Sequence, residues 1–324
     1  MRAIIPVAGV GTRLRPHTYT LPKVLLSVAG KPILGHILDK LLDEGITSAT
    51  IIVGYLGEMV EEYVRTNYDL DVEFVQQPVR EGLGHSIYLA KEALGTEPVL
   101  IILGDTIFEV DFRPVLAGEY SSLGVREVED PRRFGVVEME GEFITRLVEK
   151  PDVPPTNLAI VGLYFIKNPV LLGECLSELV ENDRRTRGEY QLTDALQMMI
   201  ERGEKFTTFK LEGWFDCGKP ETMLETNRHL LDRRPLEREI PGVVVNPPVH
   251  IAPGAQISNS IIGPYATIAD GATVSGSIVT DSIIGADATV EDAALRGSII
   301  GESARIRGRY HSLNAGASSE LELG

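Results

Sequence analysis

The chain has 324 residues, 43% of them hydrophobic, which is enough for one large and one small domain with a sizeable core. Its formal net charge of −16 argues against a general nucleic-acid-binding protein, which would carry a basic surface for the phosphate backbone. The longest apolar runs have only the length of a strand, and the two cysteines are too few for a disulfide framework, so we expect a cytoplasmic protein without a membrane partner.

A short apolar run at residues 3–7 predicts a buried first strand, and a loop with two glycines follows it. This loop, Ala8-Gly9-Val10-Gly11-Thr12-Arg13, is followed by a second cation at Lys23. Glycines let the backbone approach an anion, while exposed N–H groups and fixed cations supply the opposite charge. The loop therefore predicts phosphate binding, although it is neither a P-loop nor a dinucleotide fingerprint. An ordinary strand-to-helix turn with surface cations is the alternative that this stretch alone leaves open.

Strand and helix patterns alternate from residue 33 to residue 103. Helical spacing of apolar residues and buried-strand runs occur, in turn, at residues 33–42, 49–53, 58–64, 72–76, 86–94 and 99–103. This alternation predicts a doubly wound, mostly parallel sheet with helices on both faces, a Rossmann-like α/β fold. Ligands bind such sheets beyond the carboxyl ends of the strands, and Gln77, Gly82 and Asp105 follow strands here.

From about residue 130 the pattern becomes antiparallel. Strand-like runs at residues 135–139, 144–148 and 158–166 predict an extension of the sheet, followed by two helices and a strand that runs into Asp216. Asp105 and Asp216 each follow a strand, and as a pair they suit one Mg²⁺ ion that keeps room for phosphate oxygens and water. Alone, each aspartate is more often a helix cap or a turn residue, but beside a phosphate loop the pair favours metal-assisted phosphoryl-type transfer.

The last quarter of the chain is a repeat. Proline and glycine between residues 233 and 248 predict a linker at 236–248, which separates a catalytic domain at 1–235 from a second domain at 249–310. Beyond the linker an aliphatic residue recurs every five or six positions, and Ser-Ile-Ile-Gly begins at Ser260, Ser282 and Ser298. One inward aliphatic per short strand predicts a parallel β-helix with coils of 16 or 17 residues and some tight corners. Residues 311–324 are expected to form a flexible tail.

These motifs resemble those of the sugar nucleotidyltransferases, which make NDP-sugars from a nucleoside triphosphate and a sugar 1-phosphate. The family's motifs stand here, in order, as Gly9-Val10-Gly11-Thr12-Arg13-Leu14, Pro22-Lys23, Gln77-Pro78, Gly82-Leu83, Leu103-Gly104-Asp105, residues 135–138, 149–151 and 162–164, and Trp214-Phe215-Asp216-Cys217-Gly218. The resemblance covers residues 1 to about 233. It is strongest to glucose-1-phosphate thymidylyltransferases, here extended by a hexapeptide-repeat, left-handed β-helix.

The resemblance implies a role for each motif residue. Arg13, Lys23 and Lys150 would be catalytic, the first two on the triphosphate and the third on the sugar phosphate. The nucleotide would lie against Ala8, Gly9, Gly11, Thr12, Gln77 and Gly82, the sugar phosphate against Gly135, Glu149, Lys150 and Gly162, and the Mg²⁺ between Asp105 and Asp216. Gln77 would read the base, and an amide suits a pyrimidine because its donor and acceptor match a ring carbonyl and a ring N–H.

Two departures leave the nucleotide open. Ala8 stands where many thymidylyltransferases have glycine, and Gly84-His85 after Gly82 is more like the uridylyltransferases. We expect dTTP and glucose 1-phosphate as substrates, with a UTP-dependent uridylyltransferase or a GTP-dependent mannose-1-phosphate guanylyltransferase as alternatives and a non-catalytic regulatory subunit as a remoter one. An acyltransferase site in the β-helix is not expected, because residues 251–306 contain no histidine. Exposed coil ends favour a homo-oligomer.

Overall fold

The computed structural model describes residues 1–233 and 240–308. The predicted tail at 311–324 and the start of the predicted linker lie outside these residues. The chain divides into two compact units: Met1–Ser27 with Lys31–Thr226, and Val28–Gly30 with the chain from Asn227 onward. The domain boundaries expected from the sequence stay predictions. Among the described residues, no helix combines the length and the apolar character that a membrane crossing needs.

Strands and helices follow one another through residue 231. Their bounds are β1 Arg2–Pro6, β2 Ser27–Val28, β3 Lys31–Pro32, α1 Ile33–Asp43, β4 Ser48–Val53, α2 Gly57–Asn67, β5 Asp71–Gln76, α3 Leu83–Leu89, α4 Lys91–Leu94, β6 Val99–Ile102, β7 Thr106–Glu109, α5 Phe112–Ala117, β8 Ser121–Glu127, β9 Gly135–Glu140, β10 Phe143–Glu149, β11 Leu158–Ile166, α6 Pro169–Glu181, α7 Leu192–Glu201, β12 Phe206–Lys210, β13 Gly213–Asp216 and α8 Pro220–Leu231.

The first unit is built on one mixed sheet. Its strand order is β10-β9-β11-β6-β1-β4-β5, with β8 paired to β11 and β12 paired to β8. Strand β1 pairs parallel with β4 and β6, and β4 pairs parallel with β5, whereas β11 is antiparallel to β6, β8 and β9. Ile5 faces Ile51 across β1 and β4, and both are fully buried. The structure confirms the predicted Rossmann-like sheet and its antiparallel extension.

Helix α3 departs from the prediction. One helix was expected at residues 86–94, but α3 begins at Leu83, and the separate helix α4 follows it. Gly82 precedes α3 with a φ of 106°, a left-handed conformation that favours glycine. A Cβ on Gly84 would lie 2.8 Å from the carbonyl oxygen of Tyr190, to which the Gly84 N–H donates. The two glycines therefore start the helix early and let it approach the segment before α7.

The second unit contains the predicted repeat. Its strands are β14 Val244–Val245, β15 Val249–Ile251, β16 Gln256–Ser258, β17 Ile261–Ile262, β18 Ala266–Ile268, β19 Thr273–Ser275, β20 Ile278–Thr280, β21 Ile283–Ile284, β22 Thr289–Glu291, β23 Ala294–Arg296, β24 Ile299–Ile300 and β25 Arg305–Arg307. Every third strand pairs in parallel, so the strands form three sheets of four. These sheets fit the predicted parallel β-helix.

The register of the repeat matches the sequence pattern. Ile251, Ile268, Ile284 and Ile300 are stacked partners in consecutive coils, at the predicted spacing of 16 or 17 residues. The corners between strands contain residues with positive φ, among them Asp281 at 48°, as expected for tight corners. Strand β14, within the stretch predicted as a linker, pairs with β17 in the first coil. The left-handed winding stays a prediction.

Asn227 ties the beginning of the second unit to its coils. This side chain is fully buried, and its Oδ1 accepts hydrogen bonds from the Ala29 N–H at 2.8 Å and from the Thr267 hydroxyl at 2.7 Å. Its Nδ2 donates to the carbonyl oxygen of Tyr265 at 3.2 Å. One amide thus satisfies three polar groups of the same unit, two of them in the β-helix.

Candidate active site

A cavity of about 420 Å³ opens at the carboxyl ends of β1, β5 and β6. It is lined by predicted site residues from all three strand ends, namely Ala8, Gly9, Gly11, Thr12, Arg13, Lys23, Gln77, Gly82 and Asp105. The parallel arrangement of the three strands brings these residues together, because their carboxyl ends meet at one edge of the sheet. The convergence expected from the sequence is therefore present in the structure.

A larger groove of about 700 Å³ lies elsewhere in the same unit, beside α4 and α6. Four of its lining residues are the glutamates Glu92, Glu174, Glu178 and Glu181. It contains neither a strand end nor a phosphate loop, and its acidic lining would repel a phosphate. The smaller cavity is therefore the candidate active site.

The glycine loop takes its shape from Gly11. This residue has a φ of 64°, and a Cβ there would lie 3.0 Å from the Cβ of Lys23. The Gly11 carbonyl accepts hydrogen bonds from the Thr18 hydroxyl at 2.9 Å and from the Leu14 N–H at 2.9 Å. The loop backbone is thereby packed against Lys23, while the side chains of Thr12 and Arg13 remain exposed.

Lys23 and Asp105 form an ion pair, with Nζ 2.8 Å from Oδ2. The Lys23 side chain is 7% exposed and that of Asp105 is 42% exposed. Burial disfavours the charged carboxylate, but the ammonium of Lys23 and its hydrogen bond outweigh this effect and hold the pKa of Asp105 below its usual range. Asp105 is therefore ionised at neutral pH.

Strand pairing brings the second aspartate beside the first. Strands β7 and β13 are antiparallel, with Thr106 opposite Asp216, and the Cys217 N–H donates to the Asp105 carbonyl oxygen at 3.1 Å. The Asp216 Oδ1 accepts a hydrogen bond from the Gly218 N–H at 2.8 Å. Two carboxylates from different parts of the chain therefore lie on neighbouring strand ends.

Gly218 is the point at which the phosphate loop approaches Asp216. A Cβ on Gly218 would lie 2.7 Å from the Arg13 Nη2 and 2.7 Å from the Asp216 Oδ1. A side chain at position 218 would therefore displace the Arg13 guanidinium or the Asp216 carboxylate from their present positions. The Arg13 guanidinium, from the loop after β1, and the Asp216 carboxylate, at the end of β13, thus both lie close to Gly218.

The donor set fits a hard divalent cation. Carboxylate oxygens are the ligands that Mg²⁺ prefers, and this ion usually keeps several waters and substrate oxygens in its shell. Within residues 1–233 and 240–308 no group of three or more His, Cys, Asp or Glu side chains could hold a metal ion. Asp105 and Asp216, the predicted metal ligands, would supply two ligands to such an ion and leave the remaining positions to a substrate and water.

A second group of predicted residues lies at the end of β10. The Glu149 Oε2 accepts a hydrogen bond from the Thr193 hydroxyl at 2.6 Å, and its Oε1 lies 3.2 Å from the Lys150 Nζ. Gly135 leaves room for this arrangement, since a Cβ there would lie 3.0 Å from the Glu149 Oε2. The Lys150 N–H donates to the Phe134 carbonyl oxygen at 3.0 Å. Glu149, Lys150 and Gly135 are therefore brought together.

Gly162 occupies a different place. It has a φ of 87°, and a Cβ there would lie 2.7 Å from the Leu103 Cδ1, two positions before Asp105. It therefore lets β11 pack closely against the chain that leads to Asp105. It does not line the cavity.

One ion pair and one electrostatic influence relate the Glu149 group to the cavity. The Lys150 Nζ lies 4.0 Å from the Oε2 of Glu189, which lines the cavity. Burial, together with the negative charges of Glu149 and Asp105, raises the pKa of Tyr164, which places this phenol under the influence of both carboxylates. Lys150 therefore lies near the cavity wall, and Tyr164 lies near carboxylates of both groups.

Several residues at the site carry no clear sequence signal. Arg80, Ser86 and Glu189 line the cavity, and Thr193 holds Glu149. Ser86 is marked only by its position one helical turn after Gly82. The contact of Thr193 depends on how α7 packs against β10, which no local pattern reveals. Only the tertiary structure identifies these residues as part of the site.

His85 and Cys217 are packing residues. The His85 ring lies 6.3 Å from that of Tyr88 and 6.0 Å from that of Tyr190, with Nε2 3.5 Å from Glu81, and it does not line the cavity. Burial raises the pKa of the Cys217 thiol to about 12, so it stays protonated, as expected of a buried packing residue.

Comparison with known proteins agrees with this geometry. Residues 2–233 match the family model described as Nucleotidyl transferase. A glucose-1-phosphate thymidylyltransferase of Streptomyces antibioticus is 30% identical over 97% of this chain and 96% of its own. The low-salt glycan biosynthesis nucleotidyltransferase Agl11 of Haloferax volcanii is 33% identical over 74% of this chain and 68% of its own.

A solved structure gives the same result for the fold. A UDP-glucose pyrophosphorylase complexed with UDP-glucose superimposes with a TM-score of 0.63 at 27% identity, covering 72% of this chain and 99% of that one. The family predicted from the motifs is thereby confirmed, and the catalytic domain is a sugar-nucleotidyltransferase fold. The chain is an enzyme of the Nucleotidyl transferase family.

Proposed function

We propose that the protein transfers a thymidylyl group from dTTP to glucose 1-phosphate and releases pyrophosphate. The observation that carries this proposal is the convergence of Arg13, Lys23 and Asp105 on one cavity, with Asp216 on the strand paired to β7 and Lys150 4.0 Å from Glu189 at the cavity wall. The Streptomyces thymidylyltransferase, which is similar along nearly the whole chain, supports dTTP as the nucleotide. Transfer of a nucleotidyl group to glucose 1-phosphate is named for the Streptomyces thymidylyltransferase and for the uridylyltransferase AglF of Haloferax volcanii.

The reaction needs charge control rather than a general base. The attacking oxygen of a sugar 1-phosphate is already an anion, and its difficulty is to approach a second anion. Arg13 and Lys23 offset the charge of the triphosphate, and Lys150 binds the incoming sugar phosphate. Held between Asp105 and Asp216, Mg²⁺ would supply further neutralisation of charge at the α-phosphate. Fixed cations of this kind stabilise charge that develops in the transition state and on the departing pyrophosphate.

The glycine loop and Gln77 bind different parts of the nucleotide. Gly9, Gly11 and Thr12 cradle the phosphates, while Gln77 and the backbone at Gly82 bind the base. The Gln77 side chain is almost fully buried, and its Nε2 lies 3.4 Å from the Gly82 carbonyl oxygen, which holds the amide at the cavity wall. A held amide distinguishes bases by the pattern of donors and acceptors that they present.

The Glu149 group binds the sugar. A carboxylate accepts hydrogen bonds from sugar hydroxyls, and Glu149 is already oriented by Thr193. Lys150 then lies beside the hydroxyl-binding carboxylate, where the 1-phosphate of the same ligand would be. Gly135 keeps the space above Glu149 open.

Ala8 favours the uridylyl alternative. Its methyl group lines the cavity where many thymidylyltransferases have glycine, so less room is left for the 5-methyl group of thymine. The UDP-glucose pyrophosphorylase structure and the UTP-glucose-1-phosphate uridylyltransferase AglF of Haloferax volcanii are relatives of that specificity. UTP is therefore the second candidate nucleotide.

A pyrophosphate-release matrix tests the proposal. We would assay dTTP, UTP, GTP, ATP and CTP against the 1-phosphates of glucose, mannose, galactose and N-acetylglucosamine, with Mg²⁺, using Asp216→Asn as the control for contaminating activity. We expect the highest kcat/KM with dTTP and glucose 1-phosphate. A preference for UTP would replace thymidylyl by uridylyl transfer, and one for GTP with mannose 1-phosphate would give the guanylyl alternative. No release with any pair would refute transfer altogether and support the regulatory subunit.

The assembly of the chain is a separate proposal. The homo-oligomer expected from the β-helix coil ends stays a prediction, which light scattering of the purified protein would test.

A further inference from the structure

The β-helix carries exposed aliphatic side chains on one of its three sheets, that of β14, β17, β20 and β23. They form an aliphatic column of direct partners in consecutive coils, namely Val244, Ile261, Ile278 and Ala294. Val244 is 56% exposed, Ile261 36% and Ile278 45%, and Ala294 is exposed as well. In the part of this unit that the structure describes, no other large hydrophobic side chain is exposed. A single outward aliphatic is ordinary, but a column of them is a continuous apolar strip.

The other two sheets of the β-helix are polar or covered. In the sheet of β16, β19, β22 and β25, outward residues such as Thr273 and Glu291 are polar, so water solvates this face. In the sheet of β15, β18, β21 and β24, the outward Thr267 is fully buried and donates to Asn227, and its strand partner Ile283 is only 4% exposed. Within the described residues, only the sheet with the aliphatic column is therefore both apolar and open.

The size of the column limits the strength of any contact it makes. Neighbouring strands lie about 4.8 Å apart, so the four strands span about 14 Å along the coil stack. Such a strip is well below the roughly 800 Å² per partner of a standard stable interface. By itself it would support association with a Kd on the order of 10–100 μM.

The charges beside the column indicate which partner fits it. Asp292 lies at the corner before β23, Arg296 ends that strand, and both are exposed. A second copy turned about an axis parallel to the coil stack presents its Arg296 edge to the Asp292 edge of the first. In this arrangement each residue of the column also faces its own counterpart. With the stacks in opposite directions, like edges would face each other, so the charges favour the parallel arrangement.

We propose that the aliphatic column binds the same column of a second copy of the chain, with the two coil stacks parallel. Ile278 then meets Ile278, and Arg296 meets Asp292. A rotation axis parallel to the stack closes this contact for two copies or for three. The surface lies along the side of the β-helix, not at its coil ends, and its role does not depend on which nucleotide the enzyme uses.

Sedimentation of the full-length protein at about 1 to 200 μM tests the surface. Wild type should form assemblies that Ile278→Lys shifts to smaller species, with Kd raised at least about tenfold, because each ammonium would face its own counterpart. Thr273→Lys is the matched control, since it adds the same charge to the polar sheet and should assemble as wild type does. Thermal melting checks that both variants fold. A monomeric wild type, unchanged assembly of Ile278→Lys, or equal loss in both variants would overturn the proposal.

A cross-link tests the direction of the stacks. Oxidised glutathione should join two copies of Ile278→Cys through a disulfide, because the new thiols face each other across the axis. Wild type is the blank, since Cys175 and Cys217 are buried. In antiparallel stacks position 278 would face position 261, and only a mixture of Ile261→Cys and Ile278→Cys would cross-link. That result would overturn the parallel arrangement.

A double-mutant cycle tests the pairing of Arg296 with Asp292. Arg296→Glu should weaken association, because two carboxylates would then face each other. Asp292→Asn should weaken association in the wild-type background but strengthen it in the Arg296→Glu background, where it removes the repulsion. Asparagine suits position 292, whose φ is 51°. An effect of the same sign in both backgrounds would contradict the pairing.

Discussion

Lys23 and Asp105, 82 positions apart in the chain, lie 2.8 Å from each other at the edge of the sheet. The ammonium is almost fully buried, whereas the carboxylate keeps 42% of its surface open. The buried ammonium is more stable with its partner than without it, so this pair holds the loop after β1 against the end of β6. The open part of the carboxylate remains available for a metal ion.

The Lys23–Asp105 pair predicts a pH-dependent contribution to stability. Asp105→Asn should destabilise the protein by on the order of 1 kcal/mol at neutral pH, a value reduced because solvent reaches the carboxylate. The native pKa of Asp105 lies below its unfolded value of about 3.9, so its charge stabilises the protein above that pH. This contribution is lost as the pH falls through the lowered native pKa. Urea unfolding at several pH values should show the difference between the two proteins shrinking in acid; a constant difference would contradict the assignment.

The same substitution tests the role of Asp105 in catalysis. Asp105→Asn should lower kcat by about 10²- to 10³-fold, the usual effect of removing one electrostatic group from an active site. Asp111→Asn is the control, since Asp111 is an aspartate outside the cavity that pairs with Arg113. Circular dichroism should show both variants folded. Turnover of Asp105→Asn near that of wild type would refute its place in the metal site.

Gly218 predicts a steric effect on the site. Gly218→Ala would push a methyl group against the Arg13 Nη2 and the Asp216 Oδ1, both of which lie 2.7 Å from its position. We expect a loss of about 100-fold in kcat/KM, since displacement of catalytic groups by about 1 Å has effects of this size. In the control Gly173→Ala, the new Cβ meets only the Leu94 Cδ1 at 3.8 Å. That helix substitution should leave activity intact; equal losses in both variants would count against the Gly218 argument.

Loss of the Thr193 hydroxyl should weaken the binding of the sugar phosphate selectively. Thr193→Val keeps the shape of the side chain but removes the 2.6 Å hydrogen bond that orients Glu149. The KM for glucose 1-phosphate should rise about 3- to 10-fold, while the KM for the nucleotide stays constant. Thr193→Ser retains the hydroxyl and should resemble wild type. A parallel rise in both KM values would indicate a general distortion of the site instead.

Asn227 predicts a stability effect within the second unit. Asn227→Ala leaves the Ala29 N–H, the Thr267 hydroxyl and the Tyr265 carbonyl without their partner, and we expect a loss of about 2–4 kcal/mol in the free energy of unfolding. Urea unfolding and hydrogen exchange at residues 266–268 would measure it. Asn182→Ala is the control, because this exposed amide donates only to the Glu178 carbonyl in its own helix and should matter by less than about 1 kcal/mol.

Much of the fold follows from local patterns. The buried stripe of α1 and the end of that helix near Gly45 are visible in the spacing of apolar residues, and the β-helix register is visible in Ile251, Ile268, Ile284 and Ile300. The start of α3 was harder to predict from the sequence, because the beginning of this helix at Leu83 depends on the approach of Gly84 to the Tyr190 carbonyl oxygen. That contact joins segments about a hundred residues apart, which helical spacing does not record.

By itself, the sequence determined the alternating α/β architecture, the repeat, and the positions of Arg13, Lys23 and Asp105 at strand ends, because hydrophobic period and strand polarity are local properties of a chain. Only the tertiary structure decided which of these side chains meet. The pairing of β7 with β13 sets Asp216 beside Asp105, and the packing of α7 on β10 brings Thr193 to Glu149. These contacts depend on how distant segments pack, and no spacing along the sequence encodes that packing.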